Sequence, residues 1–195
     1  MSSDTPAPAA PWPVQQILLD LRNPWLRLVG ERLQTPDQQT VDYWRVEKAD
    51  SAIVLPIWRE QVVLPPAVYR PGLGKATLDL PGGRVVAGQD PAVAAQAILR
   101  RELGIDATSI VTLERLNTEG WPVNSSFSNQ RLFGFRAKLT DVDHSFSPGS
   151  QHYPFTPAGL RDLLHKVSCL QCRAVMLEVL LSLETLEYPR RMGHT

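Results

Sequence analysis

Three groups of residues in this chain are of types and spacings that could do chemistry. Pro81-Gly82-Gly83 reads as a turn in which two missing side chains allow unusual backbone angles and let a ligand come close to the main chain. Cys169 and Cys172, the two cysteines of the chain, have the C-x2-C spacing of half a zinc site or a redox pair. A zinc site would need a second ligand pair, and His144, His152, His165 and His194 are scattered without ligand spacing. The pair opens an apolar helical stretch, so both residues are expected as buried or half-buried free thiols. His144 and His152 have imidazoles able to accept a proton near neutral pH, but a histidine in a polar loop is by default solvated surface.

The elements that must position these groups follow from periodicity and turn chemistry. Residues 1–13, rich in Pro and Ala without apolar periodicity, read as a disordered leader, and residues 14–195 as one domain. From Trp25, β-branched and aromatic runs predict strands at 25–34, 40–48, 52–58 and 61–70, with a further short strand at Thr77–Leu80 running into the glycine turn. Asp90-Pro91 predicts a helix start, the aspartate as N-cap and the proline in the first helical position, and Gly104 a left-handed stop after Leu103. Strands are expected again at SIVTLERL and RLFGFRAKL, followed by a loop over Asp143–Pro154 and a helix capped by Thr156-Pro157 that runs through Lys166. A last helix is expected from about Cys169 to Glu187. Its apolar residues Val175, Met176, Val179, Leu180, Leu183 and Leu186 recur at intervals of three and four, which aligns them on one face. Strands, helix, strands and then helices imply an α/β fold with helices on a mixed sheet.

The bulk composition narrows the functional classes. With 43% hydrophobic and 21% charged residues, the 195-residue chain can bury a sizeable core. Twenty basic and twenty acidic residues cancel, so no nucleic-acid or anionic-membrane partner is indicated and any phosphate recognition must be local. No apolar run is long enough for a spanning helix, and Met1–Val14 lacks the basic and apolar parts of a signal peptide, so the expected location is cytoplasmic.

Leu78-Asp79-Leu80-Pro81-Gly82-Gly83, then Gly88-Gln89-Asp90-Pro91, Ala94-Ala95 and Glu102-Leu103-Gly104-Ile105, together resemble the Nudix box, G-x5-E-x7-R-E-U-x-E-E-x-G-U with U aliphatic. Laid down without a gap from Gly83, the pattern ends on Gly104 and Ile105. Val68-Tyr69-Arg70-Pro71-Gly72 resembles the QYR segment of the ADP-ribose pyrophosphatase branch, and 78–83 its LELPAG. The resemblance covers about residues 25–186. It implies a Nudix-type α/β/α sandwich with a mixed β-sheet, a homodimer formed through N-terminal strands, and a nucleoside-diphosphate ligand such as ADP-ribose.

The resemblance also marks what has changed. In that family three glutamates of the box share one helix face and hold Mg²⁺, a hard cation that needs convergent oxygen ligands. Here their positions are Ile98, Arg101 and Glu102, the earlier glutamate is Gln89 and the bracing arginine is Ala97. Glu102 is left as the one residual catalytic carboxylate, with the Gly82 carbonyl beside it if any metal binds. The late loop that supplies a general base in the family, His144–Phe155 here, has no Asp or Glu. The family alignment further implies ligand contacts at Arg70, Asp79, Gly82, Gly83 and Arg101. Trp121, in the loop 117–124, is either a stacking platform or a loop anchor. Three readings follow: a catalytically impaired binder of a nucleoside diphosphate that needs no cofactor, with Arg101 in place of the metal charge; an active Mg²⁺-dependent hydrolase recruiting Glu114, Glu119 or Asp79 beside Glu102; or a dimeric interaction scaffold without nucleotide binding.

Overall fold

The computed structural model describes the backbone of residues 10–191 and the side chains of residues 10–185. Residues 1–9 of the expected leader lie outside that range, and residues 10–13 are exposed and without regular structure. No helix among the described residues is long and apolar enough to cross a membrane. The described residues form two compact units: residues 10–48 with 124–129, and residues 49–123 with 130–191.

The first unit is an antiparallel meander of β1 (Val14–Arg22), β2 (Arg27–Gln34) and β3 (Thr40–Glu47), in the order β1-β2-β3. β1 was not anticipated from the sequence: its register shifts between Val14 and Gln16 and again between Ile17 and Leu19, and such bulges break the alternation by which a strand is recognised. Gly30 on β2 faces Trp44 on β3, and a Cβ at Gly30 would lie 2.7 Å from the indole, so the ring can lie flat only over glycine. The segment 124–129 joins this unit through backbone bonds, Val46 N–H to Phe127 O at 2.7 Å and Asn129 N–H to Val46 O at 3.4 Å.

The second unit is built on β4 (Ser51–Trp58). Its sheet runs β10 (Trp121–Pro122), β11 (Arg131–Leu139), β4, β5 (Gln61–Leu64), β12 (Gln151–Pro154), with β8 (Gly82–Arg84) also paired to β4 and β9 (Ile110–Arg115) to β11. β11 and β4 run parallel and the other pairs antiparallel, so the sheet is mixed as expected. A separate hairpin pairs β6 (Val68–Arg70) with β7 (Lys75–Thr77).

Both faces of β4 are covered. Ala52 and Val54 join a core with Ala95, Ile98, Leu99 and Leu103 of α1 (Pro91–Leu103). Ile53, Leu55 and Ile57 join a second core with Leu160 and Leu163 of α2 (Pro157–Lys166) and Val175, Met176 and Val179 of α3 (Leu170–Arg191). A strand buried on both sides reads as a continuous apolar run, which is how AIVLPIW reads. The α3 face is as expected through Leu180, with Leu183 half-buried; the side chain of Leu186 lies outside the described residues.

The helix ends follow their sequence signals. Asp90 accepts from Ala92 N–H at 2.9 Å, Gly104 closes α1 at φ 73°, and Thr156 Oγ1 accepts from Gly159 N–H at 3.0 Å at the start of α2. Three strand expectations need correction. The run 61–70 splits at Pro65-Pro66, which have no N–H to give a ladder. The strand expected at Thr77–Leu80 lies earlier, at Lys75–Thr77, and residues 78–80 make no ladder. The loop over 143–154 ends in β12.

Candidate functional site

β8 and α1 bring the glycine pair and the charged end of the helix together. Gly82 and Gly83 are not a turn with unusual angles, as expected from sequence: they lie on β8, opposite Ile53 and Ala52, and neither has a positive φ. What the two glycines allow is close approach. A Cβ on Gly82 would come within 3.2 Å of Ile53 Cγ1, and one on Gly83 within 2.8 Å of Arg101 Nη2 and 3.1 Å of Ile98 Cγ1. Helical spacing puts Ile98, Arg101 and Glu102 on the side of α1 that meets this strand.

Their environments differ sharply. Ile98 is 1% exposed and belongs to the core, whereas the Arg101 and Glu102 side chains are 58% and 25% exposed. Arg101 Nη2 donates to Glu102 Oε1 at 2.7 Å and to Gly82 O at 3.0 Å, and Gly82 N–H donates to Glu102 Oε2 at 3.3 Å. The guanidinium therefore bridges the carboxylate and the carbonyl that the resemblance would assign to a metal.

A cleft of about 420 Å³ opens beside this bridge, lined among others by Arg70, Thr77, Asp79, Arg101, Glu102 and Ser147. Arg70 donates through Nε and Nη2 to Asp79 Oδ2 at 3.0 and 2.8 Å, and Thr77 Oγ1 donates to the same oxygen at 2.9 Å. Four of the residues expected at a ligand site, Arg70, Asp79, Arg101 and Glu102, thus share one cleft, with Gly82 held to the last two. Thr77 and Ser147 were not anticipated, because neither carries a motif and each arrives through the path of the chain.

Trp121 lies elsewhere in this unit. It lines an apolar cavity of about 330 Å³ with Val123, Leu132, Cys169 and Leu170, and packs on the core where a Cβ at Gly134 would meet its ring at 3.0 Å. His144 and His152 belong to an aromatic group with Trp58 and Phe146, at centroid separations of 5.3 to 6.2 Å. His144 Nε2 is within 3.1 Å of Thr140 O, and His152 Nδ1 within 3.1 Å of Gln61 Oε1. Neither lines the cleft.

The donor set at Glu102 does not fit Mg²⁺. One carboxylate and one carbonyl are present, both already hydrogen-bonded to a cation, while Glu114 is paired with Arg136 and Asp79 with Arg70. Among the described residues one group of His, Cys, Asp and Glu side chains has ligand atoms within 4.8 Å of each other, and it lies at Asp79, Cys169 and Cys172. Both thiols are free, Cys172 buried and Cys169 half-buried. The neighbouring Cys172 thiol brings the Cys169 pKa down to about 6, and the same pairing together with burial pushes Cys172 up.

No protein-family model matches the sequence, and no curated protein matches it. Among solved structures, the chain is similar to one described as an ADP compounds hydrolase, with a TM-score of 0.68 and 14% identity over 97% of this chain and 100% of that one. At that identity the likeness is one of fold alone, a mixed sheet covered by helices.

Proposed function

We propose that the second unit binds a nucleoside-diphosphate compound in the cleft between Arg70 and Arg101 without hydrolysing it. The observation that carries this reading is the Arg101 bridge: a permanent cation holds Gly82 O and Glu102 Oε1, where hydrolysis would need a divalent metal. The bridge uses Nη2 alone, which leaves Nε and Nη1 of a half-exposed guanidinium to fork onto phosphate oxygens. Arg70 faces the same cleft with Nη1 remaining. The likeness in fold to an ADP compounds hydrolase supports a ligand of this class.

Calorimetry with ADP-ribose tests the reading. Binding is expected without added Mg²⁺, unchanged by EDTA and weakened by salt as charges are screened. Arg101→Glu should lose a charge-assisted contact of about 1.5 to 3 kcal/mol, roughly 10- to 150-fold in affinity. Equal metal-free binding by both proteins, or none by either, would remove Arg101 as a phosphate clamp. Phosphate release that depends on Mg²⁺ and is abolished by Glu102→Gln would replace the binder with an enzyme.

The reading extends to a homodimer formed through the first unit. Its three-stranded sheet leaves Val14, Ile17, Leu21 and Trp44 about half exposed, an apolar surface of the kind that a second copy would cover.

A further inference from the structure

The C-x2-C pair, which by sequence lacks further ligands, acquires one in the fold. Cys169 precedes the first residue of α3 and Cys172 lies in its first turn; Arg173 N–H closes that turn onto Cys169 O at 2.9 Å. The Arg173 guanidinium also donates to Leu164 O and, at 3.1 Å, to Val167 O, which ties the end of α2 to the start of α3 and holds the pair in place. The segment 78–81 passes beside it, and Asp79 brings a carboxylate oxygen to within 4.8 Å of both thiols.

A second, independent observation concerns Asp79 itself. Oδ2 receives Arg70 and Thr77, whereas Oδ1 is buried and has no hydrogen-bond partner among the described residues. A buried carboxylate oxygen without a partner is costly, and native structures retain such atoms where something else satisfies them. Metal-ligating carboxylates are commonly held in this way, one oxygen fixed by hydrogen bonds and the other left to ligate.

We propose that Asp79, Cys169 and Cys172 form a three-ligand site for a thiophilic divalent cation of the zinc class. Two sulfurs and one carboxylate oxygen make a borderline-soft donor set that suits Zn²⁺ and disfavours Mg²⁺ and Ca²⁺, and they leave the fourth tetrahedral position for water. The charges also balance: two thiolates and a carboxylate carry three negative charges, Zn²⁺ supplies two positive, and the Arg70 guanidinium on Asp79 supplies the third. Cys169 also lines the 330 Å³ apolar cavity, a route by which the ion and its water reach the pair. The site is separate from the Arg101 bridge and shares with the cleft only Asp79 and its hydrogen-bond donors.

The test uses the whole chain, reduced, stripped of metal and without nucleotide, so that its failure leaves the diphosphate reading untouched. Titration with Co²⁺ should give one equivalent of a tetrahedral complex with a thiolate-to-metal charge-transfer band, displaced by Zn²⁺, and bound Zn²⁺ should protect both thiols from alkylation. Zn²⁺ affinity, measured by competition with a chromophoric chelator, should fall about 10- to 100-fold in Thr77→Val, which removes one bond to Asp79. It should fall further in Cys169→Ser. Cys169 is the half-exposed ligand, so this variant keeps the test decisive if Cys172→Ser does not fold; circular dichroism checks that it does. A wild-type protein with no charge-transfer band, Cys169→Ser with unchanged Zn²⁺ affinity, or a Cys169–Cys172 disulfide that forms equally fast with Zn²⁺ present would overturn the proposal, the last in favour of a redox pair.

Discussion

Ile98 and Arg101 stand one turn apart on α1 and differ from the Nudix pattern in different ways. Arg101 is at the rim, where its charge can be exchanged for another, whereas Ile98 is a core side chain in contact with Gly83 and packed among Ala95, Leu99 and Leu103. Ile98→Glu is therefore expected to bury an uncompensated carboxylate rather than rebuild a cation site. The cost should be about 3 to 5 kcal/mol of stability, read as a lower urea midpoint, with no gain in Mg²⁺ binding. A variant of unchanged stability that binds Mg²⁺ would show that position 98 opens to the cleft. The offset between these residues is legible in sequence because helical spacing is local. Arg101's partners are less so: that its guanidinium reaches back to Gly82 O depends on β8 pairing with β4, a long-range fact. The distance in sequence between Asp79 and the cysteines hid the third thiol-site ligand for the same reason.

At the level of elements, the caps of α1 and α2 were readable because Asp90-Pro91, Gly104 and Thr156-Pro157 act within a turn of themselves. β1 and β12 were not, the first because bulges disturb its alternation and the second because a four-residue strand ending in proline looks like loop. The meander β1–β3 carries a further consequence in its charges. Arg27, with Arg22, holds the Asp20 carboxyl below its usual range; Arg32 does so for Asp42, and Arg45 with Arg27 for Glu47. A carboxyl depressed in the folded state stabilises it above the unfolded pKa and loses that contribution as pH falls through the folded value. Trp58→Phe/Trp121→Phe leaves Trp12, Trp25 and Trp44, all in the first unit, as fluorescence reporters. Their urea midpoint should be flat above about pH 5 and fall below about pH 4, less so in high salt, which already screens these exposed pairs. A midpoint that rises on acidification would contradict the assignment.

For the whole molecule, the apolar residues left half exposed on the first unit make oligomeric state the natural measurement. Sedimentation equilibrium should find a dimer, and Ile17→Asp on β1 should shift it toward monomer at micromolar concentration while circular dichroism is unchanged. A wild-type monomer would leave that surface to another partner. The parallel pairing of β4 with β11 bears on how the chain is made. Ser51 is in register with Leu132 and Ile57 with Lys138, so the most buried strand of the second unit meets one of its two main neighbours only after some eighty further residues have been added. Closing so long a loop is slow relative to the local meander β1–β3, whose ladders need no more than about thirty residues of chain. During synthesis, AIVLPIW thus leaves the ribosome as an apolar strand with no completed sheet to enter until Leu139 has been added, and that interval is when it is most open to aggregation.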